Sequence, residues 1–265
     1  MTRLFDRQLA QPEPPSLYDL LQIFQHGDDS ATAMKARRML ASPEVARLVR
    51  TVRSGGTGLL VREVQGARVI AAEAVHRQVG STPAPALFAR LRERSVLPQH
   101  DVAFIEVQKL RSMASLTAFG WLVTTHSTAN GYAMQAYLST EWGRGKLFSP
   151  LAVCYFDLDS QGRYRCEDGT DGPAVEFSTP DDPQRPGLIP RFVDPIARSL
   201  MATVGTLLAT LAVVAESPHL PQTVPDKAQS AAYQRRAGRA LVTYRRIPPE
   251  ATALQELFLG LETAP

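Results

Sequence analysis

The chain has 265 residues and a mass of 29.0 kDa, with 44% apolar and 21% charged side chains, ample to bury a core. Those fractions exclude a wholly disordered chain and a collagen-like repeat, and only two cysteines, Cys154 and Cys166, exclude a disulfide scaffold. A net charge of +3, from 29 basic against 26 acidic residues, is too small to identify a partner.

Charge divides the chain into three segments: residues 1–98 carry 14 basic and 9 acidic side chains, 99–188 carry 7 and 11, and 189–265 carry 8 and 6. The expected fold class is α+β, with a helical N-terminal segment, a central antiparallel sheet and a long buried helix near the C-terminus. The third segment is open to forming one compact domain with the second.

In the first segment, the N-terminal stretch MTRLFDRQLAQPEPPS has no apolar run of the kind a secretory signal needs. Ser16 is placed to cap a helix in which Leu17, Leu20, Leu21 and Phe24 share a face, ended by Gly27. Further helices are expected over ATAMKARRMLA and PEVARLVRTVR, the second with proline at its first position. The run LLVREVQGARVIAAEAVHRQ reads equally as helix or as two strands about Gly66, and a short helix follows at APALFARLRER.

The second segment changes character. DVAFIEVQ, SLTAFGWLVTTH, YAMQAYLST, LFSPLAVCYFDLD and RYRCE have the β-branched and aromatic enrichment of strands. Asn130-Gly131 is a hairpin signal between two of them, and Asp159-Ser160-Gln161-Gly162 is a second turn. Residues 171–190, rich in proline and acid, read as a surface loop or linker. In the third segment an apolar helix runs from about Asp194 to Glu216. Its uncharged stretch of seventeen residues, 199–215, contains three threonines and a glycine, which suits a buried core helix better than a membrane span. A basic helix, a glycine, a strand about Tyr244 and a final amphipathic helix, ALQELFLGLE, complete the chain.

No catalytic signature emerges, and no metal or cofactor is expected. The five histidines have no spacing that shares a metal, and HExxH is missing. His126, among Thr124, Thr125, Ser127 and Thr128 at a strand end, reads as a nucleophile–base pairing or as a hydrogen-bonded strand edge. Asp157, Asp159, Gln161, Gly162 and Asp168 fall at positions 1, 3, 5, 6 and 12 of a calcium loop, but position 12 lacks its Glu and the flanks are strands; a hairpin explains the same residues. Cys154 and Cys166 lie symmetrically about that turn and read as packed thiols. The glycine-rich stretches 54–58 and 143–146 fit neither phosphate-loop pattern.

Two kinds of charged cluster remain. Arg47, Arg50 and Arg53 share a helix face, and Arg235, Arg236 and Arg239 form a second basic group; both are candidate nucleic-acid contacts, set against a plain solvated face. Asp168, Asp171, Asp181 and Asp182 are candidate partner contacts, able to imitate phosphate spacing in a basic groove.

Arginine outnumbers lysine 25 to 4, which suits a GC-rich bacterial or bacteriophage genome. The stretch LLATLAVVAESPHLPQTVPDKAQSAAYQRRAGRALVTYRRI resembles the end of many uncharacterised phage and prophage proteins: an apolar helix, an extended connector, a basic turn and a Tyr-containing strand. Arg235, Arg236, Gly238, Arg239 and Tyr244 stand in those places, with Ala240 where proline is common. The resemblance covers about 40 residues and implies a phage-type origin without an activity. The expected function is a non-catalytic interaction protein, cytoplasmic and without a membrane partner, that binds and modulates host or phage nucleoprotein machinery through a host or phage protein complex. A nucleic-acid-binding accessory factor using the arginine clusters and an enzyme with an unfamiliar site are the alternatives.

Overall fold

The computed structural model describes residues 3–9, 66–95, 102–108, 116–128, 131–142, 152–164, 176–178, 202–238 and 240–261. Expectations for the helices between residues 10 and 65, including Arg47, Arg50 and Arg53, fall outside the described residues, as do Arg239, Cys166, Asp168, Asp171, Asp181 and Asp182.

The architecture is α+β, and one eight-stranded sheet draws strands from all three charge segments. In chain order the elements are helix α1 (Leu4–Leu9), strand β1 (Arg68–Ala71), helices α2 (Glu73–Val79) and α3 (Ala84–Arg92), and strands β2 (Val102–Gln108), β3 (Leu116–Thr128), β4 (Gly131–Trp142), β5 (Ala152–Leu158) and β6 (Glu176–Ser178). Then come α4 (Ala202–Glu216), β7 (Gln222–Thr223), α5 (Lys227–Ala237), β8 (Tyr244–Arg246) and α6 (Thr252–Phe258). The strand order is β6-β5-β4-β3-β2-β1-β8-β7.

Strands β2 to β6 form the expected antiparallel sheet. The sheet is extended by β1 and β8, which are parallel to one another and to β2, so the whole is mixed. A parallel pair requires a crossover, and α2 and α3 supply it between β1 and β2. From Gly66 onward the ambiguous run is one strand followed by a helix; its first half, residues 59–65, lies outside the described residues. Ala71 closes β1, and the backbone N–H of Ala72 reaches the Glu106 carbonyl at 2.9 Å before α2 begins.

The β3–β4 hairpin forms, but its paired ends are Thr128 and Gly131, so Gly131 belongs to the strand. His126 pairs with Ala133 inside the ladder and does not end its strand. Within the expected loop 171–190 the described residues, Glu176–Ser178, pair with β5 as an edge strand. Cys154 lies between Ala136 and Phe177 in the sheet, and its expected neighbour Cys166 is outside the described residues.

The two sheet faces are covered differently. On one, Ile70, Ile105, Phe119, Trp121 and Val123 pack with α2, α3, α4 and α6 into the larger core. Residues 203–214 of α4 are buried on every side, which is why this stretch carries no charge. Its buried threonines are satisfied locally: Thr210 Oγ1 donates to the Thr206 carbonyl at 2.6 Å, and Thr206 Oγ1 meets His76 Nδ1 at 2.8 Å. No helix among the described residues is long and apolar enough to cross a membrane. On the other face, Val69, Phe104, Ala118 and Leu122 are capped by Leu4 and Phe5 of α1.

Candidate functional site

The densest polar cluster surrounds a carboxylate in the middle of the sheet. Alternation along β2 places Phe104, Glu106 and Gln108 on the α1 face. Glu106 is fully buried there. Its Oε1 accepts from Arg3 Nη1 at 3.2 Å and from Gln108 Nε2 at 2.9 Å, while Oε2 accepts the backbone N–H of Phe5 at 3.0 Å. Arg3 also donates to Glu73 Oε1 at 2.6 Å and lies over the Tyr244 ring, 4.2 Å from its centroid. The adjoining Asp6, itself buried, accepts from the Val242 N–H at 2.9 Å through Oδ1, and its carbonyl accepts from the Tyr233 hydroxyl.

Burial pushes the Glu106 carboxyl up to about 7, against the pull of Arg3 and the Phe5 N–H, with Glu73 adding to the rise. Burial also works against the charge on Arg3, but Glu106 and Glu73 outweigh it and leave the guanidinium more basic than usual. The cluster opens onto a cleft of about 390 Å³ beside the carboxyl ends of β1, β2 and β8, with Gln108, Gln229 and Arg246 on its walls. Open α/β sheets tend to bind ligands at such strand ends.

Chemically the arrangement is a charge-assisted hydrogen-bond network that ties α1 to β2 and α2. Glu106, with its carboxyl raised to about 7, is fully enclosed by Arg3, Phe5 and Gln108.

No family model matches this chain. Neither a curated protein nor a solved structure matches it.

The sequence-based candidates fare unevenly. Arg235 and Arg236 lie exposed in the last turn of α5, and among the described residues neither has an ion-pair partner. Asp159 is engaged by its own turn: Oδ1 accepts the Gln161 and Arg163 N–H groups, both at 2.9 Å, and Oδ2 accepts Arg163 Nε at 2.8 Å. Slight burial opposes ionisation, yet the bonds from Arg163 and Gln161 prevail and hold the carboxyl below its ordinary range. Gly162, at φ 79°, completes this turn, so Asp159, Gln161 and Gly162 of the calcium-loop spacing are turn residues, while Asp168 lies outside the described residues. Among the described residues no group of three metal-ligating side chains converges.

Spacing alone gave no sign of the Arg3–Glu73–Glu106 cluster, whose members lie 70 and 103 residues apart. One signal was present: a lone acid at an inward position of the run Val102–Gln108, between Ile105 and Val107.

Proposed function

We propose that this chain is a non-catalytic interaction protein of phage or prophage type that binds and modulates host or phage nucleoprotein machinery. The disposition of its charge carries the reading. The ionic cluster of Arg3, Glu73 and Glu106 faces inward and fixes one helix on the sheet, whereas Arg235 and Arg236 are exposed at the end of α5 and Arg246 is exposed on β8. A reaction centre needs a reactive group within reach of substrate, and the carboxyl nearest neutrality lies behind Arg3 and Phe5. Outward guanidiniums instead suit a phosphate- or carboxylate-bearing surface. In the same reading Asp168, Asp171, Asp181 and Asp182 engage a basic groove of the partner.

Nucleic acid as the direct partner is the second reading, favoured by the same exposed Arg235 and Arg236. Tagged protein drawn from a bacterial host lysate, with and without nuclease, separates the two. The expected result is a stoichiometric protein partner that survives nuclease and is lost from the R235A/R236A variant. Recovery that disappears with nuclease transfers the role to nucleic acid, and an empty pull-down under both treatments overturns both.

A further inference from the structure

The cleft beside Glu106 has its origin in the topology. Strands β1, β2 and β8 are parallel, and their carboxyl ends stand together. Helix α2 leaves β1 towards the larger core, where Ala74 and Val75 are buried. Helix α5 packs on the opposite face, where Tyr233 reaches the Asp6 carbonyl. Helices that part to opposite faces open a crevice at the strand ends, the position at which open α/β sheets take ligands. Its volume of about 390 Å³ lies in the range of small-molecule sites.

Most charges on its walls are already engaged. Glu73 is paired with Arg3, Asp6 accepts the Val242 N–H, and Asp226 accepts the Gln229 N–H as the cap of α5. Two groups differ. The Arg246 guanidinium has neither a hydrogen-bond nor an ion-pair partner among the described residues. Gln108 donates through Nε2 to Glu106, and its amide oxygen has no partner among them either. Alternation puts both side chains on the α1 face, and β1 lies between their strands, so they stand two strand spacings apart, about 10 Å. Val224 and Leu241 line the same cleft, and Val224 is 71% exposed although apolar.

We infer that this cleft binds a small organic anion: Arg246 holds its carboxylate or phosphate, the Gln108 amide oxygen accepts an N–H from its other end, and an apolar body lies against Val224 and Leu241. An arginine fork is matched to either oxyanion. A few polar groups that fix orientation around an apolar body are the usual equipment of such a site. The inference goes beyond the partner-binding reading and uses another surface, because Arg235 and Arg236 stand at the opposite end of α5 from Asp226.

The test is calorimetric titration of the full-length chain with two probes, adenosine monophosphate and para-aminohippurate, each with an anion at one end and an amino group at the other. Adenosine and inorganic phosphate are the controls. At least one probe should bind with a Kd of about 1 mM or tighter. Arg246→Ala should weaken that binding about tenfold or more, through loss of a charge-assisted contact. Val224→Trp, which fills the cleft from an exposed position, should abolish it. Both residues are exposed, so neither substitution threatens the fold. Binding of the monophosphate alone makes the anion a phosphate, binding of para-aminohippurate alone makes it a carboxylate, and either supports the inference. Failure of both probes to saturate by about 10 mM overturns it, as does binding that both substitutions leave unchanged. Adenosine binding as tightly as its monophosphate removes the anion from recognition, inorganic phosphate binding as tightly removes the body, and each result overturns the inference. The pull-down reads Arg235 and Arg236, so the two readings fail separately.

Discussion

The two faces of the sheet are held by different physics. On the face covered by α2, α3, α4 and α6, the contacts are almost wholly apolar, and the buried hydroxyls of Thr210 and Thr206 in α4 meet its own backbone and His76. On the other, a helix of six residues is held by few apolar side chains and by a buried network through Arg3, Phe5, Asp6, Glu73 and Glu106. Apolar area is tolerant of which residues supply it, whereas a buried carboxylate demands particular partners. The first face is therefore where stability resides, and the second is where specificity does.

The sharpest test of that division is on the larger face. Leu207 of α4 is completely buried, and truncation to alanine should cost about 2–5 kcal/mol, read from the denaturant midpoint with an unchanged slope. A loss under 1 kcal/mol would mean that α4 is not the main support.

Next in size is the pH response of Glu106. Its carboxyl rises from an ordinary 4.5 to about 7 in the folded chain, chiefly through burial. A raised folded value means that the native state holds the proton more tightly. The stability from this group is present in full below about pH 4.5 and is lost as pH climbs through 7, a change of about 3 kcal/mol. Glu106→Gln should flatten this fall between pH 5 and pH 8 in urea titrations. A variant as steep as the parent would place the pH dependence elsewhere. His76 titrates on the opposite face, where burial lowers its value and keeps the ring neutral.

A smaller effect is expected beneath α1. Gly120→Ala sets a methyl 2.5 Å from the rigid Phe104 ring, and overpacking of this kind costs about 1–3 kcal/mol. The loss should fall unevenly, exposing the Phe5 and Arg7 amides to exchange while the Leu207 amide keeps its protection. Uniform loss of protection would join the two faces into one cooperative unit.

The same contrast decides what was legible in the sequence. Elements whose signal is local were readable: α4 from its uncharged run, α3 from its prolines, α5 from the basic turn ended by Gly238, and the Asp159–Gly162 hairpin from its turn residues. The strand about Tyr244 was readable as β8, but the four residues of β1 are too few to show a period, and the parallel pairing of the two joins residues about 175 apart. The network beneath α1 was illegible for the same reason. Its ion pairs join three separate stretches of chain, and Arg3 in the N-terminal stretch differs in no local way from any other surface arginine. Glu106 alone carried a clue, an acid where alternation calls for an apolar residue.

The smallest expected effect examines whether α5 belongs with the specific face. Asp226 caps this helix, its Oδ2 accepting the Gln229 N–H at 3.4 Å, and Asp226→Ala should cost about 1 kcal/mol. The helix carries Tyr233, whose hydroxyl donates to the Asp6 carbonyl of α1. Fraying of α5 at its first turn should therefore reach α1 through Tyr233 and raise exchange at Arg7, with α4 unchanged. The ion pair between Arg94 and Glu216 offers the control, since it joins α4 to the end of α3 at the protein surface. Breaking it with Arg94→Ala should cost no more than about 1 kcal/mol and leave α1 exchange as it was. If both substitutions loosened α1 alike, the helix would be responding to global stability, and its attachment through Tyr233 would have no special part in holding it on the sheet.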